Sequence, residues 1–314
     1  MTEPSAFRLS SVDDTLHTPP PAADGWWTET YWFTFAVPER RLFGNYYLYI
    51  RPLHHSIGGG VTVFDETGSA PWEIPFQSHH HHLPLPDDLD MRNAELRNGM
   101  FLRQLEPNRC FAFGITNDEV RADLRFEAIS QPLLTIPKPR PPFTGAYHVD
   151  QPGRVTGTLV LHGEEMAVDA ILMRDRSWGR RPDLRGVKAG YDYAFSSTED
   201  GFLGLSMDIE EVDRVVMGFV IRDGRWSRAT GGRRHVERGS DGILTAVDIE
   251  VVDELGRVVT AHGEPLTRYT NLIYPSMLVH QSLMRWEYDG HVAYAEDQDV
   301  WDPKQWRASR RLNT

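Results

Sequence analysis

Short apolar runs that alternate with polar residues and stop at turn signals fill almost the whole chain. No convincing amphipathic helix exceeds three turns. After Trp26 the runs TETYWFTFAV, FGNYYLYIRP and GGGVTVFDETG follow one another, aromatic and β-branched. NAELRNGMFLRQLEPNRCFAFGITNDEVRADLRFEAIS continues them, with RNGM, EPNR and TNDE as hairpin turns. The second half has the same texture, from GYDYAFSS to VHQSLMRWEYDGHVAYAEDQDVW, punctuated by RDGR, DELGR and YDGH. Roughly nine strand candidates in each half have the spacing of an all-β barrel or sandwich. DPKQWRASRRL near the C-terminus predicts one short helix, with Asp302 as N-cap and Pro303 at the first helical position.

The length of 314 residues suits two domains, each of about 150 residues. Two β-rich halves therefore predict two antiparallel barrel-like domains in tandem, each able to enclose a small ligand. Residues 1–25 contain HTPPPAADG and read as an extended arm, followed by domains over 26–180 and 181–314. PWEIPFQSHHHHLPLPDDL reads as a long Pro- and His-rich loop. QPLLTIPKPRPPFTG, residues 131–145, is too proline-dense for a helix and must be extended.

Charge excludes some partners. Thirty-three basic against 45 acidic residues give a net charge of −12, with no basic stripe of the kind nucleic acid requires. An acidic balance also disfavours anionic membranes. No apolar run reaches the about 18 residues of a membrane span, so no membrane insertion is expected. The N-terminus lacks the basic-then-apolar layout of a secretion leader, which makes the cytoplasm the default location. Cys110, the one cysteine, sits in RCFAFGI and reads as a small buried hydrophobe. Nothing in the sequence decides whether the chain forms a homodimer.

The densest chemistry lies in MRDRSWGRRPDLRG, residues 173–186, at the end of an apolar strand. Strand alternation places Leu172, Arg174, Arg176 and Trp178 on one face and Ile171, Met173, Asp175 and Ser177 on the other. Asp175 either pairs with Arg174, Arg176, Arg180 or Arg181 and pins the fold, or looks into a cavity. In a cavity, desolvation would raise its pKa and make it a general acid.

Four further groups of residues are candidates. His148 and Asp150 share a strand face and form either a proton relay or a structural pair. Leu278, His280, Ser282, Met284, Trp286 and Tyr288 share an apolar face, as a ligand-cavity wall or as plain core; Glu296, Asp297 and Asp299 return on the next strand. Tyr191, Tyr193 and Phe195 line up as an aromatic wall or as core, and aromatic faces stabilise cations. His79–His82 could face an ion in alternate pairs, but no ligand spacing supports a metal site, and a pH-sensitive lid is the favoured reading. No dinucleotide fingerprint, phosphate loop or GxSxG elbow occurs, so neither a cofactor nor a metal is expected.

DRSWG, Asp175 to Gly179, follows a strand that itself follows a hairpin with Gly153 and Gly157–Thr158. It resembles the D-[HR]-x-W-G signature of the carotenoid 1,2-hydratase (hydroxyneurosporene synthase) and AttH-like superfamily. HVDQPGRVTGTL and MRWEYDG…EDQDVW resemble a subgroup of it whose members are mostly of unknown function. The resemblance covers most of residues 26–301 and implies two lipocalin-like β-domains. The activities it implies are hydration, or cyclisation like that of Diels–Alderases. Arg176 stands where the D-H-x-W-G form has His, and an always-charged guanidinium cannot relay a proton.

Taken together, these features lead us to expect a cofactor-independent enzyme with a largely apolar cavity formed by the barrels. It would act on a hydrophobic small molecule, isoprenoid, terpenoid or steroid-like, by acid-initiated hydration, dehydration or isomerisation at a C=C bond. Asp175, then Asp150 or Glu296, would supply the proton. Trp178, Tyr191 and Trp286 would shield the cation, with Tyr193, Ser282 and Met284 lining the site. His148 or His280 would position water. A non-catalytic carrier and a shape-driven cyclase are the alternatives.

Overall fold

The computed structural model describes residues 11–136, 146–182 and 186–312. The fold is all-β, in two β-domains. Contacts divide the chain into one unit of residues 1–37, 44–63 and 75–182 and another of 38–43, 64–74 and 183–314.

The first sheet is built from β1 (Trp27–Val37), β2 (Leu42–Arg51), β3 (Ser56–Phe64), β4 (Phe76–Pro84), β5 (Asn93–Glu95), β6 (Met100–Glu106), β7 (Cys110–Thr116), β8 (Val120–Ala128), β9 (Leu133–Ile136), β10 (Ala146–Leu161) and β11 (Glu164–Arg180). Its order is β4-β3-β2-β1-β11-β10-β8-β7-β6-β5, with β9 alongside β10, and it forms a half-barrel. β8 shows the period-two rule: Val120, Ala122, Leu124 and Phe126 are buried, while Arg121, Asp123, Arg125 and Glu127 are exposed. β1 is buried on both faces, and its sequence is correspondingly apolar or hydroxylic apart from Glu29.

Which face is concave follows from contacts that skip strands. Phe33 on β1 stacks on Phe113 of β7 at 4.6 Å and meets Phe126 of β8 edge-on at 5.8 Å. β11 and β10 lie between these strands, so the rings meet across the hollow of the curved sheet. Arg174 joins them, its guanidinium 4.3 Å from the Phe111 ring. The face carrying Leu172, Arg174, Arg176 and Trp178 is therefore the inner one, and Asp175 lies on the outer, convex face. This corrects the expectation that Asp175 looks into the hollow of its own sheet.

The N-terminal arm also differs from expectation. Residues 11–14 form a 3-10 turn, and Asp14 is buried with both carboxylate oxygens on Arg174, at 2.8 and 3.3 Å. Arg176 donates to Glu29 and to the carbonyl of Thr15 (2.8 Å). Two buried cations need anions, and the arm brings one of them, which makes it a packed element. The His-rich segment is likewise no loop. His79–His82 sit in β4, an edge strand between Pro75 and Pro84, where proline is tolerated. Gly60 lets it approach: a Cβ there would lie 1.5 Å from the Ser78 carbonyl oxygen. The proline connector continues as β9, and residues 137–145 lie outside the described residues.

The second sheet comprises β12 (Ala189–Phe195), β13 (Gly201–Ile209), β14 (Val212–Arg222), β15 (Arg225–Arg238), β16 (Leu244–Asp253), β17 (Val258–Pro265), β18 (Tyr269–Tyr274), β19 (Met277–Tyr288) and β20 (His291–Trp301). Pairing of β17 with β19 closes eight of these strands into a barrel, with β18 added on β19. Asp289 and Gly290, both at positive φ, make the tight turn between β19 and β20. Gly263 on β17 admits Trp286, since a Cβ there would sit 2.6 Å from the indole. Helix α1 (Pro303–Leu312) starts as expected, with Asp302 accepting from Lys304 N at 2.6 Å. Its Trp306 packs on His280 and Trp301 at 4.5 and 5.2 Å. Cys110 is buried, and among the described residues no helix is long and apolar enough to cross a membrane.

Candidate functional site

Antiparallel register on the convex face of the first sheet puts four polar side chains at adjacent corners. His148 pairs with Ser177 and Asp150 with Asp175 across β10 and β11. On the other flank of β11, Thr30 pairs with Ser177 and Trp32 with Asp175. The aromatic wall continues on β2. Trp32 meets Tyr47 edge-on at 5.3 Å, and Tyr49 lies beyond Tyr47. Tyr49 passes over Gly58 of β3, and its hydroxyl lies 3.1 Å from His81 Nδ1. Trp32, Tyr47 and Tyr49 are all buried.

His148 is clamped at both ring nitrogens, with Nδ1 2.7 Å from Ser177 Oγ and Nε2 3.0 Å from Asp150 Oδ1. Burial works against a charged ring, but the Asp150 carboxylate, its hydrogen bond and Asp175 outweigh it and raise the His148 pKa. Asp175 differs from the carboxylates that take up the arginines of its own stretch. The four guanidinium groups of its own stretch go elsewhere. Arg174 binds Asp14, Arg176 binds Glu29, Arg180 binds Asp24 at 2.7 Å, and Arg181 donates to Thr30 Oγ1 at 3.2 Å. No described residue makes a hydrogen bond or ion pair to the Asp175 carboxyl. The residue keeps partial exposure, yet packed protein surrounds its carboxyl, and this desolvation raises the pKa to about 6. The nearby charge of Asp150 adds to the rise; His148, Arg181 and Arg174 oppose it. A carboxyl with that value exchanges protons near neutrality, as general acid–base catalysis requires.

The remaining candidates sit elsewhere. Trp178 shares the inner face of β11, stacked between His17 (4.6 Å) and Tyr147 (5.3 Å), so it cannot shield a cation beside Asp175. The others belong to the second unit. Arg234 on β15 reaches Asp192 on β12 and Asp297 and Asp299 on β20, three and four strands away, so this group spans the lumen of the closed barrel. His280, Ser282, Met284 and Trp286 face the same lumen. Trp286 packs edge-on to Phe202 at 5.8 Å, and its place there is that of core. Burial lowers the His280 pKa to about 4, with Thr270 Oγ1 2.8 Å from its Nδ1. Tyr191 and Tyr193 alternate with Asp192 and so face outwards from that barrel. Glu296 also faces outwards, buried, and accepts from the amides of Gln281 (2.5 Å) and Gln298 (2.7 Å).

Ser177, Trp32, Tyr47 and Tyr49 are members of the site that the sequence reading did not single out as candidates. Ser177 was findable, because alternation along DRSWG puts it on the face of Asp175. Trp32 carries no local signal; only the pairing of β1 with β11 brings it there. Among the described residues, no group of three or more His, Cys, Asp or Glu is arranged to hold a metal ion.

A convex-face carboxyl without a counter-ion, flanked by a His–Asp–Ser chain and an aromatic wall, stands in a protein of two β-domains. The chain belongs to a family defined by a domain of unknown function, DUF7064, which matches residues 10–296. Among solved structures it is similar to an AttH-like protein of Nitrosomonas europaea, with a TM-score of 0.61 and 12% identity over 89% of this chain and 94% of that one. It is also similar to kievitone hydratase from Nectria haematococca, with a TM-score of 0.55 and 8% identity over 95% and 94%. Both are of the carotenoid hydratase and AttH family, which the DRSWG motif resembles, and at such identity the likeness is one of fold. No curated protein is similar enough in sequence to match the chain.

Proposed function

We propose that this protein is a cofactor-independent hydratase, lyase or isomerase that protonates, or deprotonates beside, a C=C bond of a hydrophobic small molecule, with Asp175 as the acid. The single observation that carries this reading is the Asp175 carboxyl itself: desolvated, with a pKa of about 6, and bonded to no cation among the described residues. At pH 7 about a tenth of such groups hold a proton, which suffices for turnover and leaves a base for the reverse step.

In the forward direction the Asp175 O–H bond breaks as a C–H bond forms on the alkene. The cation that results lies by Trp32 and Tyr47, whose ring faces favour positive charge. Water then adds and releases a proton, or a neighbouring C–H gives one up; either proton restores the Asp175 acid. His148, held between Asp150 and Ser177, is a positioning group. Its ring, clamped at both nitrogens, fixes the polar surroundings of Asp175 and leaves no nitrogen free to act as the base. The same fold in kievitone hydratase is compatible with this class of chemistry.

The test is exchange in heavy water. Prenylated and terpenoid alkenes incubated with the protein should gain deuterium at carbon, read by mass spectrometry. Asp175→Asn should abolish that gain while the far-UV spectrum is unchanged. Exchange that survives the substitution removes Asp175 from the reaction.

A further inference from the structure

Trp32 carries a second message. Its residue is 6% exposed, and its indole Nε1–H has no hydrogen-bond partner. A buried donor left unpaired costs about 1–3 kcal/mol, which a partner arriving with a ligand would recover. Trp286 and Trp226 also hold unpartnered indole N–H groups. Trp286, however, is buried within the closed barrel, and neither is paired across strands with a partly exposed carboxyl. Trp32 is the direct cross-strand neighbour of Asp175, on the same face. An aromatic, unpaired donor beside an aromatic-flanked acid is a recognition pair: the plane takes apolar surface, and the N–H takes an oxygen.

We propose that Trp32 Nε1 donates a hydrogen bond to a neutral oxygen of the substrate and so places its C=C bond at Asp175. The substrate class is then an oxygenated hydrophobic molecule, an alcohol, phenol or ketone, and not a bare hydrocarbon. This rests on the reading of Asp175 as the acid and adds to it a specificity-determining residue. Trp32 makes no bond to hydrogen that is transferred; it selects and orients.

The experiment compares geraniol with the hydrocarbon myrcene, with binding measured by calorimetry in the Asp175→Asn background so that turnover does not interfere. Geraniol should bind roughly five- to tenfold more tightly than myrcene, the usual worth of one neutral hydrogen bond. Trp32→Phe, which keeps the ring and loses the N–H, should bring the ratio to about one by weakening geraniol alone. In the protein with Trp32 intact, the assigned Trp32 indole N–H resonance should shift with geraniol and stay still with myrcene; this holds whether or not the Phe variant folds. An unchanged ratio in the Phe variant, equal binding of the two probes, no binding of geraniol up to its solubility limit, or an unmoved resonance would each overturn the assignment of Trp32. Failure of the acid reading shows separately, as deuterium exchange that persists in Asp175→Asn.

Discussion

The lumen of the closed barrel and the convex face of the half-barrel bury carboxylates in opposite ways. In the closed barrel, Arg238 and Arg234 surround Asp299, at 2.6 and 3.4 Å. Burial works to raise the Asp299 pKa, but the Arg238 hydrogen bond and the two positive charges hold it down at about 2. Asp192 and Asp297 share that lumen and are raised by burial and by a neighbouring carboxylate, Asp297 for Asp192 and Asp299 for Asp297, against the pull of Arg234. On the convex face of the half-barrel, Asp175 is packed round by protein yet bonded to no cation, and its pKa rises to about 6. The same side chain is held by arginines in one place and left without an ion pair in the other. What separates them is whether the neighbouring guanidinium groups are already occupied.

Four predictions test how far this contrast holds, and a fifth serves as a control. The largest effect belongs to Asp175→Asn, which should lower deuterium exchange into an alkene by about 10²–10⁴. A fall of less than tenfold would put the convex-face carboxyl on a par with the barrel's structural ones. Next is Arg234→Met, which strands the lumen carboxylates without their cation and should cost about 3–5 kcal/mol in urea unfolding. A variant as stable as the parent would show that the barrel network is dispensable.

His280 stays neutral in the fold, with a pKa of about 4 against an ordinary 6.5. Its contribution to stability is therefore complete above pH 6.5 and is lost as pH falls towards 4. His280→Gln should flatten that acid limb by on the order of 3 kcal/mol, measured by thermal melts across the range. Asp175 has the opposite sign, because its folded pKa lies above the ordinary 3.8. The protonated form is the stable one, so its favourable contribution is full below about pH 4 and lost as pH rises through about 6. Asp175→Asn should accordingly gain on the order of 2 kcal/mol at pH 8, discounted for partial exposure, and nothing at pH 4. An inactive protein that is also more stable would mark the carboxyl as kept for chemistry. Smallest of all, Arg154→Ala removes an exposed pair with Asp169 at 2.6 Å and should change stability by no more than about 0.5 kcal/mol.

Much of this was visible in the linear chain. Period-two alternation assigned Arg174 and Asp175 to opposite faces, and the YDGH and DPKQW signals located a turn and a helix start that the structure contains. The same alternation grouped His280, Ser282, Met284 and Trp286. It misled where a face had to be given a meaning. Trp178 looked like a shield for Asp175 but points the other way. Tyr191 and Tyr193 looked like a cavity wall but face outwards from their barrel. HHHH looked like a loop but is an edge strand.

Sequence alone therefore determined the all-β class, the turns, the face each side chain occupies and the family resemblance of DRSWG, because these depend on local geometry with a span of a few residues. Tertiary structure decided the rest. Arg174 finds Asp14 in the arm, Arg176 finds Glu29, and Trp32 arrives beside Asp175 from a strand more than a hundred residues upstream. Strand curvature decides which face is hollow, and long-range pairing decides which cations are used up. A carboxyl's proton affinity depends on both, so the chemistry of Asp175 exists only once the chain has folded.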